Sequence, residues 1–148
     1  MRLLDQKKID YTPHAYDNEI TDGVAVAEVL GQEQRRVFKT LVTVSQTGAY
    51  FVFVIPVAES LNLKKAAKAV SVKSISMIKQ KDLLPVTGYV HGGCSPVGMK
   101  KQFITVIHDS AKELDTFCVS AGKVGFQIEL SPESLKTLIK ADFANIIE

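Results

Sequence analysis

The chain has 148 residues, of which 46% are hydrophobic and 23% are charged, and this length and composition predict one globular domain, residues 1–148, with a buried core. The longest apolar run, residues 50–58, contains Pro56 and is far shorter than the roughly 20 residues that cross a bilayer, so we predict no membrane span. The N-terminus carries charges where a signal peptide has its apolar stretch, which predicts a cytoplasmic protein. Cys94 and Cys118 form neither a disulfide framework nor a CxxC pair, so both are expected to be free thiols.

The first half of the chain predicts both helices and strands. Apolar residues at positions 3, 4 and 9 predict a short helix, and residues 11–16, with Pro13, predict an extended edge segment. A second helix is predicted to begin at Thr21 or Asp22 and to end at Gly31.

Two β-branched and aromatic runs, residues 37–44 and 50–57, predict central strands joined in a hairpin through residues 46–48. The apolar spacing of residues 59–70 then predicts an amphipathic helix that presents Lys64, Lys65 and Lys68 outward.

The second half predicts further strands and a closing helix. A short helix is predicted at residues 79–84, and strands are predicted at residues 103–107, 116–119 and 126–130. Ser131 and Pro132 suit the cap and first position of a last helix. Because this order shows no regular βαβ alternation, we predict an α/β (α+β) fold: a mixed, largely antiparallel sheet or partial barrel surrounded by helices.

Charge is distributed unevenly along the chain. The formal net charge is only +2, but residues 64–101 hold eight lysines and one acid, a net charge of +7. Such a surface attracts a polyanion such as RNA, because neutralised phosphates release condensed counterions. A solvated lysine-rich helix explains the same composition.

Lys39 is the first candidate site residue. It lies inside the predicted strand 37–44, where the period of two places it on one face with Val37 and Leu41. A buried lysine is costly unless an anion meets it, so this position indicates a functional site. The alternative is a lysine that reaches solvent at a sheet edge.

Two glycine-containing segments are weaker candidates. Residues 87–98 contain four glycines, which can bring backbone N–H groups close to an anion or oxyanion, but they lack the Gly-Lys-Ser/Thr of a phosphate-binding P-loop. Ser120 precedes a second glycine turn, without a Gly-x-Ser-x-Gly elbow or an assignable histidine base. The three histidines show no metal-ligand spacing, so we expect no metal site.

Taken together, these motifs resemble the YbaK/EbsC family over nearly the whole chain. The segments that carry the resemblance are Lys39-Thr40-Leu41-Val42, Leu63-Lys64-Lys65-Ala66-Ala67-Lys68, Thr87-Gly88-Tyr89-Val90, Gly92-Gly93-Cys94-Ser95-Pro96-Val97-Gly98-Met99-Lys100-Lys101 and Val119-Ser120-Ala121-Gly122-Lys123. The resemblance implies an aminoacyl-tRNA editing domain, related to one inserted in some prolyl-tRNA synthetases. It also implies an enzyme without a cofactor that releases cysteine from tRNA(Pro) and tRNA(Cys) and that acts alone or with prolyl-tRNA synthetase.

The resemblance also implies the site residues. Lys39 matches the family's essential lysine, with Gly92 and Ser120 as the other catalytic positions. The implied substrate-binding residues are Tyr16, Thr40, Gly93, Ser95, Pro96, Lys64, Lys65 and Lys68. The chain departs from the family pattern at Cys94, Ala121, Val124 and Gln127, and the missing arginine at position 124 removes one expected RNA contact.

The mechanism implied by the resemblance uses the substrate's own cysteine thiol, which attacks its ester carbonyl and leaves as a thiolactone. Lys39 would then anchor the terminal nucleotide or the carbonyl, the Gly92-Gly93 loop would supply N–H donors, and Ser120 would orient the ester. Two alternatives remain open at this point. One is a deacylase that removes alanine from tRNA(Pro) with water, and the other is a non-enzymatic nucleic-acid-binding regulator.

Overall fold

The computed structural model describes residues 5, 9–16, 23–31 and 33–148. Most of the predicted first helix and the predicted helix start at Thr21 or Asp22 lie outside these residues. The described strands are β1 (Tyr11–Ala15), β2 (Phe38–Ser45), β3 (Tyr50–Pro56), β4 (Ile75–Met77), β5 (Ile104–His108), β6 (Phe117–Ser120), β7 (Phe126–Leu130) and β8 (Asp142–Ala144). The described α-helices are α1 (Gly23–Val29), α2 (Leu63–Ala69), α3 (Gln80–Thr87) and α4 (Pro132–Ile139), with 3-10 turns at Gln34–Arg36 and Asp109–Glu113. None of the described helices is long and apolar enough to cross a bilayer.

The strands form two sheets. A five-stranded sheet has the order β4-β2-β3-β5-β8, in which β4, β2 and β3 are antiparallel while β3, β5 and β8 run parallel. A three-stranded antiparallel sheet has the order β1-β7-β6, and a bridge between Val37 and Cys118 joins the two sheets. The predicted mixed, largely antiparallel fold is confirmed, and the described sheets do not close into a barrel.

Strand β3 is buried on both faces, as expected for a central strand. Val54 packs between the two sheets and α4, in a cluster with Phe38 and Phe117. Phe53 and Ile55 point the other way, into a cluster with α2. Strand β3 is hydrogen-bonded to β2 on one side and to β5 on the other.

Local sequence signals explain the turns and caps. The predicted β2–β3 turn is confirmed: Gly48 has φ 85°, and Ser45 N–H donates to the Ala49 carbonyl. Ser131 caps α4 by accepting a hydrogen bond from Ser134 N–H, as predicted.

Helix α2 begins later than predicted, at Leu63 instead of residue 59. Asn62 is its cap and accepts a hydrogen bond from Lys65 N–H. The preceding residues instead pair with the C-terminal segment, because Asn62 N–H donates to Ile146 and Glu148 N–H donates to Ser60. The sequence also did not predict β4 and β8, which have three residues each and exist through sheet pairing.

Candidate active site

A cavity of about 410 Å³ opens beside the first half of β2. It is bordered by α1, β2, the loop after α3, and the ends of β6 and β7. Its lining residues are Tyr16, Val26, Phe38, Lys39, Thr40, Leu41, Val57, Leu83, His91, Gly92, Cys94, Ser120 and Gln127.

The cavity forms where β2 has no neighbouring strand on one side. Strand β4 pairs with only the last three residues of β2, from Thr43 to Ser45. The Val42 carbonyl accepts a hydrogen bond from Ile78 N–H, so the backbone N–H and C=O of Val42 face the side of β2 on which β4 lies. The backbone groups of Thr40, two residues away, face the same side, but β4 does not extend that far. The missing pairing leaves room for a pocket along this strand edge.

Lys39 is half-buried and lines the cavity. It pairs across the ladder with the fully buried Ile55 and forms no ion pair with a described residue. Leu41 lines the same cavity, as the period of two predicted, whereas Val37 is buried in a separate core cluster. Lys39 is therefore a cation at a cavity wall whose described lining residues include no carboxylate.

The two adjacent glycines of the loop after α3 differ in position. Gly92, with φ 85°, lines the cavity. Gly93 is buried and does not line it; its N–H donates to the Val90 carbonyl at 3.0 Å, and an added Cβ would lie 3.0 Å from Val124 N. In this conformation, the N–H of Gly93 is therefore committed to the loop and is not free for an oxyanion.

Ser95 and Pro96, in the same loop, are buried in the packing of the loop itself. Ser95 is fully buried, and its Oγ accepts a hydrogen bond from Val97 N–H. Pro96 is also buried, and neither residue lines the cavity. The structure thus separates Ser95 and Pro96 from the cavity residues with which the sequence grouped them.

Tyr89 joins this loop to the β6–β7 turn. Its hydroxyl donates to the Val97 carbonyl, and a Cβ added at Gly122 would lie 2.8 Å from its ring. Gly122 has φ 97°, so both conformation and space require glycine there. The contact fixes the position of the turn that follows Ser120.

Ser120 ends β6 and lines the cavity. Its Oγ accepts a hydrogen bond from Gly122 N–H at 3.2 Å, and no described histidine is bonded to it. Tyr16 lines the same cavity, and its N–H donates to Gly125, which ties the end of β1 to the same turn. The structure therefore brings together Lys39, Thr40, Tyr16, Gly92 and Ser120.

Gln127, His91 and Cys94 also border the cavity, although the sequence did not identify them as site residues. Gln127 lies opposite Ser120 across the β6–β7 ladder, a relation that depends on strand register. Cys94 is 8% exposed, and burial raises the pKa of its thiol to about 12, against a weaker lowering by its hydrogen bond with Thr87. Cys94 therefore stays protonated at neutral pH and is a poor nucleophile.

The three lysines that were predicted to point outward from α2 have different surroundings. Lys64 and Lys68 line a surface groove together with Lys73. Lys65 instead donates its Nζ to the Ile147 carbonyl at 3.0 Å. The groove also contains Ile75, which pairs with Ser45, and Ser45 lies six residues, or about 20 Å, along β2 from Lys39.

Three possible metal ligands meet on the three-stranded sheet. Side-chain ligand atoms of His14, Cys118 and Glu129 lie within 4.8 Å of one another. His14 Nε2 is 2.9 Å from Glu129 Oε1, and Thr116 donates to the other carboxylate oxygen. Hydrogen bonds from Thr116 and His14 lower the pKa of Glu129, so the carboxylate is already satisfied by protein partners.

Comparison with known proteins identifies a family for the chain. The model of the aminoacyl-tRNA editing domain family matches residues 17–138 of the chain. A protein of Enterococcus faecalis (strain ATCC 700802 / V583), provisionally named Cys-tRNA(Pro)/Cys-tRNA(Cys) deacylase EbsC, is 46% identical over 148 residues, which cover 99% of this chain and 90% of that protein.

Solved structures share the fold. The crystal structure of a hypothetical protein matches with a TM-score of 0.91, and that of a provisionally named trans-editing enzyme for prolyl tRNA synthetase matches with 0.87. Each is 19% identical and is aligned over 99% of this chain and 97% or 93% of its own. The structures show a shared fold, and the family-model match together with the 46% identical relative shows that the chain belongs to the aminoacyl-tRNA editing domain family.

Proposed function

We propose that the protein is an aminoacyl-tRNA deacylase that removes cysteine from mischarged tRNA(Pro) and also acts on Cys-tRNA(Cys). The proposal is supported by family membership and by the name of the Enterococcus faecalis relative. Editing of this kind serves translation because a synthetase pocket discriminates poorly against a competitor of similar or smaller size. We propose that residues 1–148 work as one editing domain in the cytoplasm, where charged tRNA is used.

The observation that supports the mechanism best is that the cavity combines a cation with one unreactive cysteine thiol and a serine hydroxyl that has no histidine base among the described residues. Lys39 lines the cavity, the Cys94 thiol is held protonated because burial raises its pKa, and Ser120 Oγ has no described histidine bonded to it. The described lining thus offers no activated protein nucleophile. This favours a substrate that carries its own.

The proposed step is intramolecular. The cysteine thiol of the aminoacyl group loses its proton, its sulfur bonds to the ester carbonyl carbon, and the bond from that carbon to the ribose oxygen breaks. The proton goes to the departing ribose oxygen, so the products are a cyclic thiolactone and uncharged tRNA. Lys39 would stabilise the carbonyl oxygen or the terminal phosphate, while Gly92 and Ser120 orient the ester; holding the reacting atoms together supplies much of the rate.

The groove that contains Lys64, Lys68 and Lys73 is the proposed path of the RNA backbone. Its start lies about 20 Å along β2 from Lys39, a separation that suits a nucleic acid end entering the cavity while its preceding phosphates contact the lysines. We extend the proposal to action in trans beside prolyl-tRNA synthetase. The structural relative that is provisionally named a trans-editing enzyme for that synthetase supports this extension.

The decisive experiment compares one tRNA(Pro) body charged with cysteine, serine or alanine. Serine is a matched control, because it replaces the thiol with a hydroxyl of similar size. We expect cysteine to be released rapidly and the other two slowly, with thiolactone detected as the first product. Fastest release of alanine would support the water-dependent deacylase, and tRNA binding without release of any amino acid would support a regulator.

A further inference from the structure

Buried polar atoms without partners occur in two of the residues that line the cavity. Among the described residues, three buried side-chain oxygens have no hydrogen-bond partner: Thr40 Oγ1, Ser110 Oγ and Gln127 Oε1. Such atoms are rare in folded proteins, since an unpaired buried group loses its bonds to water and gains nothing in return. Two of the three, on Thr40 and Gln127, belong to residues that line the candidate active site.

The position of Gln127 is set by the three-stranded sheet. It pairs with Ser120 on β6 and with His14 on β1, so its side chain lies on the same sheet face as Ser120. Gln127 is 6% exposed, which makes it a nearly buried amide at the cavity wall. Ser120 Oγ accepts a hydrogen bond from Gly122 N–H, and Gln127 Oε1 has no hydrogen-bond partner among the described residues.

The chemistry of these atoms limits the ligand group they suit. An amide oxygen accepts hydrogen bonds, and a threonine hydroxyl can also accept one. Two acceptors on residues that line the same cavity fit a group with two N–H donors. Lys39 lines the same cavity and repels a second cation, so an uncharged amine suits the site better than an ammonium. An α-amino group, whose ordinary pKa is about 7.7–8.0, is mostly protonated at neutral pH but loses its proton readily there, so the cavity can bind its uncharged form.

We propose that Gln127 Oε1 and Thr40 Oγ1 bind the α-amino group of the aminoacyl end, and that Gln127 thereby selects substrates with a free amino group. This inference rests on the proposed deacylase function. It assigns a role to Gln127, which the sequence alone did not identify as a site residue. The ribose 2′-hydroxyl is a weaker match, because it offers one donor for two acceptors.

The test pairs a change in the protein with the same change in the substrate. Wild-type protein and Gln127→Leu are assayed on tRNA(Pro) carrying cysteine or 3-mercaptopropionate, which keeps the thiol and ester but lacks the amino group. We expect wild-type kcat/KM to fall about tenfold or more when the amino group is absent, since a site built for a hydrogen bond rejects an analogue without it. Gln127→Leu should slow cysteine release to a similar extent and leave the amino-free substrate almost unchanged. Thr40→Val should show the same pattern.

Controls separate recognition from folding. Ser110→Ala removes the third unpartnered oxygen, which does not belong to a cavity residue, and should leave both rates unchanged. The thermal midpoints of all three variants should equal or exceed that of wild type, because each loses an unsatisfied buried group.

Three results would overturn the assignment. Equal slowing of both substrates by Gln127→Leu would indicate a structural role. A tRNA ending in 2′-deoxyadenosine that abolishes the effect of Gln127→Leu would assign the acceptors to the ribose. Wild-type protein that releases cysteine from neither tRNA(Pro) nor tRNA(Cys) would refute the proposed function and this inference together. If wild-type protein releases cysteine but Gln127→Leu slows both substrates equally, the inference alone is refuted.

Discussion

Two regions of the molecule differ in how completely their polar groups are paired. Around the C-terminus, the Ile146 N–H donates to the buried His108 Nδ1, and the Ile147 carbonyl accepts from Lys65 Nζ. Around the cavity, the side-chain oxygens of Thr40 and Gln127 have no described partner, and Lys39 has no described counter-ion. The paired region holds the chain together, whereas the unpaired region has interactions to offer a ligand. Substitutions in the first should therefore affect stability, and substitutions in the second should affect activity.

The largest expected effect is at Lys39. We predict that Lys39→Ala lowers the rate of Cys-tRNA(Pro) deacylation by on the order of 100-fold or more, as expected for loss of a group that stabilises developing charge. The thermal midpoint should stay the same or rise, because the variant removes a partly buried charge with no described counter-ion. Single-turnover deacylation and thermal unfolding should be measured on one preparation.

Lys39→Arg is the companion variant, since it keeps the charge but changes its shape. Wild-type turnover by Lys39→Ala would refute the proposed site. A large drop in its thermal midpoint would place Lys39 among the structural residues instead.

A second prediction compares lysines on one helix. Lys64→Gln combined with Lys68→Gln should weaken tRNA binding and reduce the slope of log K against log salt by about 0.7–0.9 for each phosphate that is no longer neutralised. Lys65→Gln should change that slope less and lower the thermal midpoint slightly, because the Lys65 ammonium is bonded to Ile147. Salt titrations of tRNA binding check both. If Lys65→Gln reduces the salt slope of tRNA binding as much as the Lys64 and Lys68 substitutions do, Lys65 contacts the RNA in the same way as the groove lysines.

The third prediction concerns the pH dependence of stability. Burial lowers the pKa of His108 below its ordinary 6.5, an effect that nearby Asp109 and Glu59 partly oppose. The unfolded chain therefore binds a proton more readily, so stability is fully present above pH 6.5 and falls as the pH drops from there toward the folded-state pKa. His108→Gln should flatten this part of the profile. His91 is exposed, so His91→Gln should leave the dependence of stability on pH unchanged. Wild-type stability that stays constant between pH 7 and pH 5 would refute the argument.

Glu129 should produce a separate loss of stability at lower pH. Hydrogen bonds from Thr116 and His14 lower its pKa, so its contribution is present above the ordinary value of 4.5 and is lost as the pH falls through the folded-state pKa. Thermal unfolding of His108→Gln across this range isolates the Glu129 effect. Glu129→Gln in that background should remove most of it.

The smallest expected effect is at the two cysteines. Cys94→Ala and Cys118→Ala should each keep most deacylase activity, because burial raises the pKa of both thiols to about 12 and the reactive sulfur belongs to the substrate. Any loss in Cys94→Ala should appear in KM, since Cys94 borders the cavity. A large fall in kcat with normal folding would make Cys94 a participant in the chemistry.

Local patterns predicted much of the fold. The alternation and residue types of β2 and β3, the glycine of their turn, and the serine-proline start of α4 are signals that act over a few residues, and the structure confirms all of them. The late start of α2 was not predictable in this way. Its first predicted turn pairs with a C-terminal segment more than 80 residues away, so tertiary contacts override the local helical pattern.

The sequence by itself determined the family, the mixed sheet, and the candidate residues Lys39, Gly92 and Ser120, because each is a matter of residue type and order. Tertiary structure alone decided which polar groups are free. The short pairing of β4 opens the edge of β2, and the β6–β7 register sets Gln127 opposite Ser120. Whether a hydrogen-bonding group is satisfied depends on atoms brought together from distant segments, so residue type shows what a side chain can bind but only the fold shows what it has left to bind.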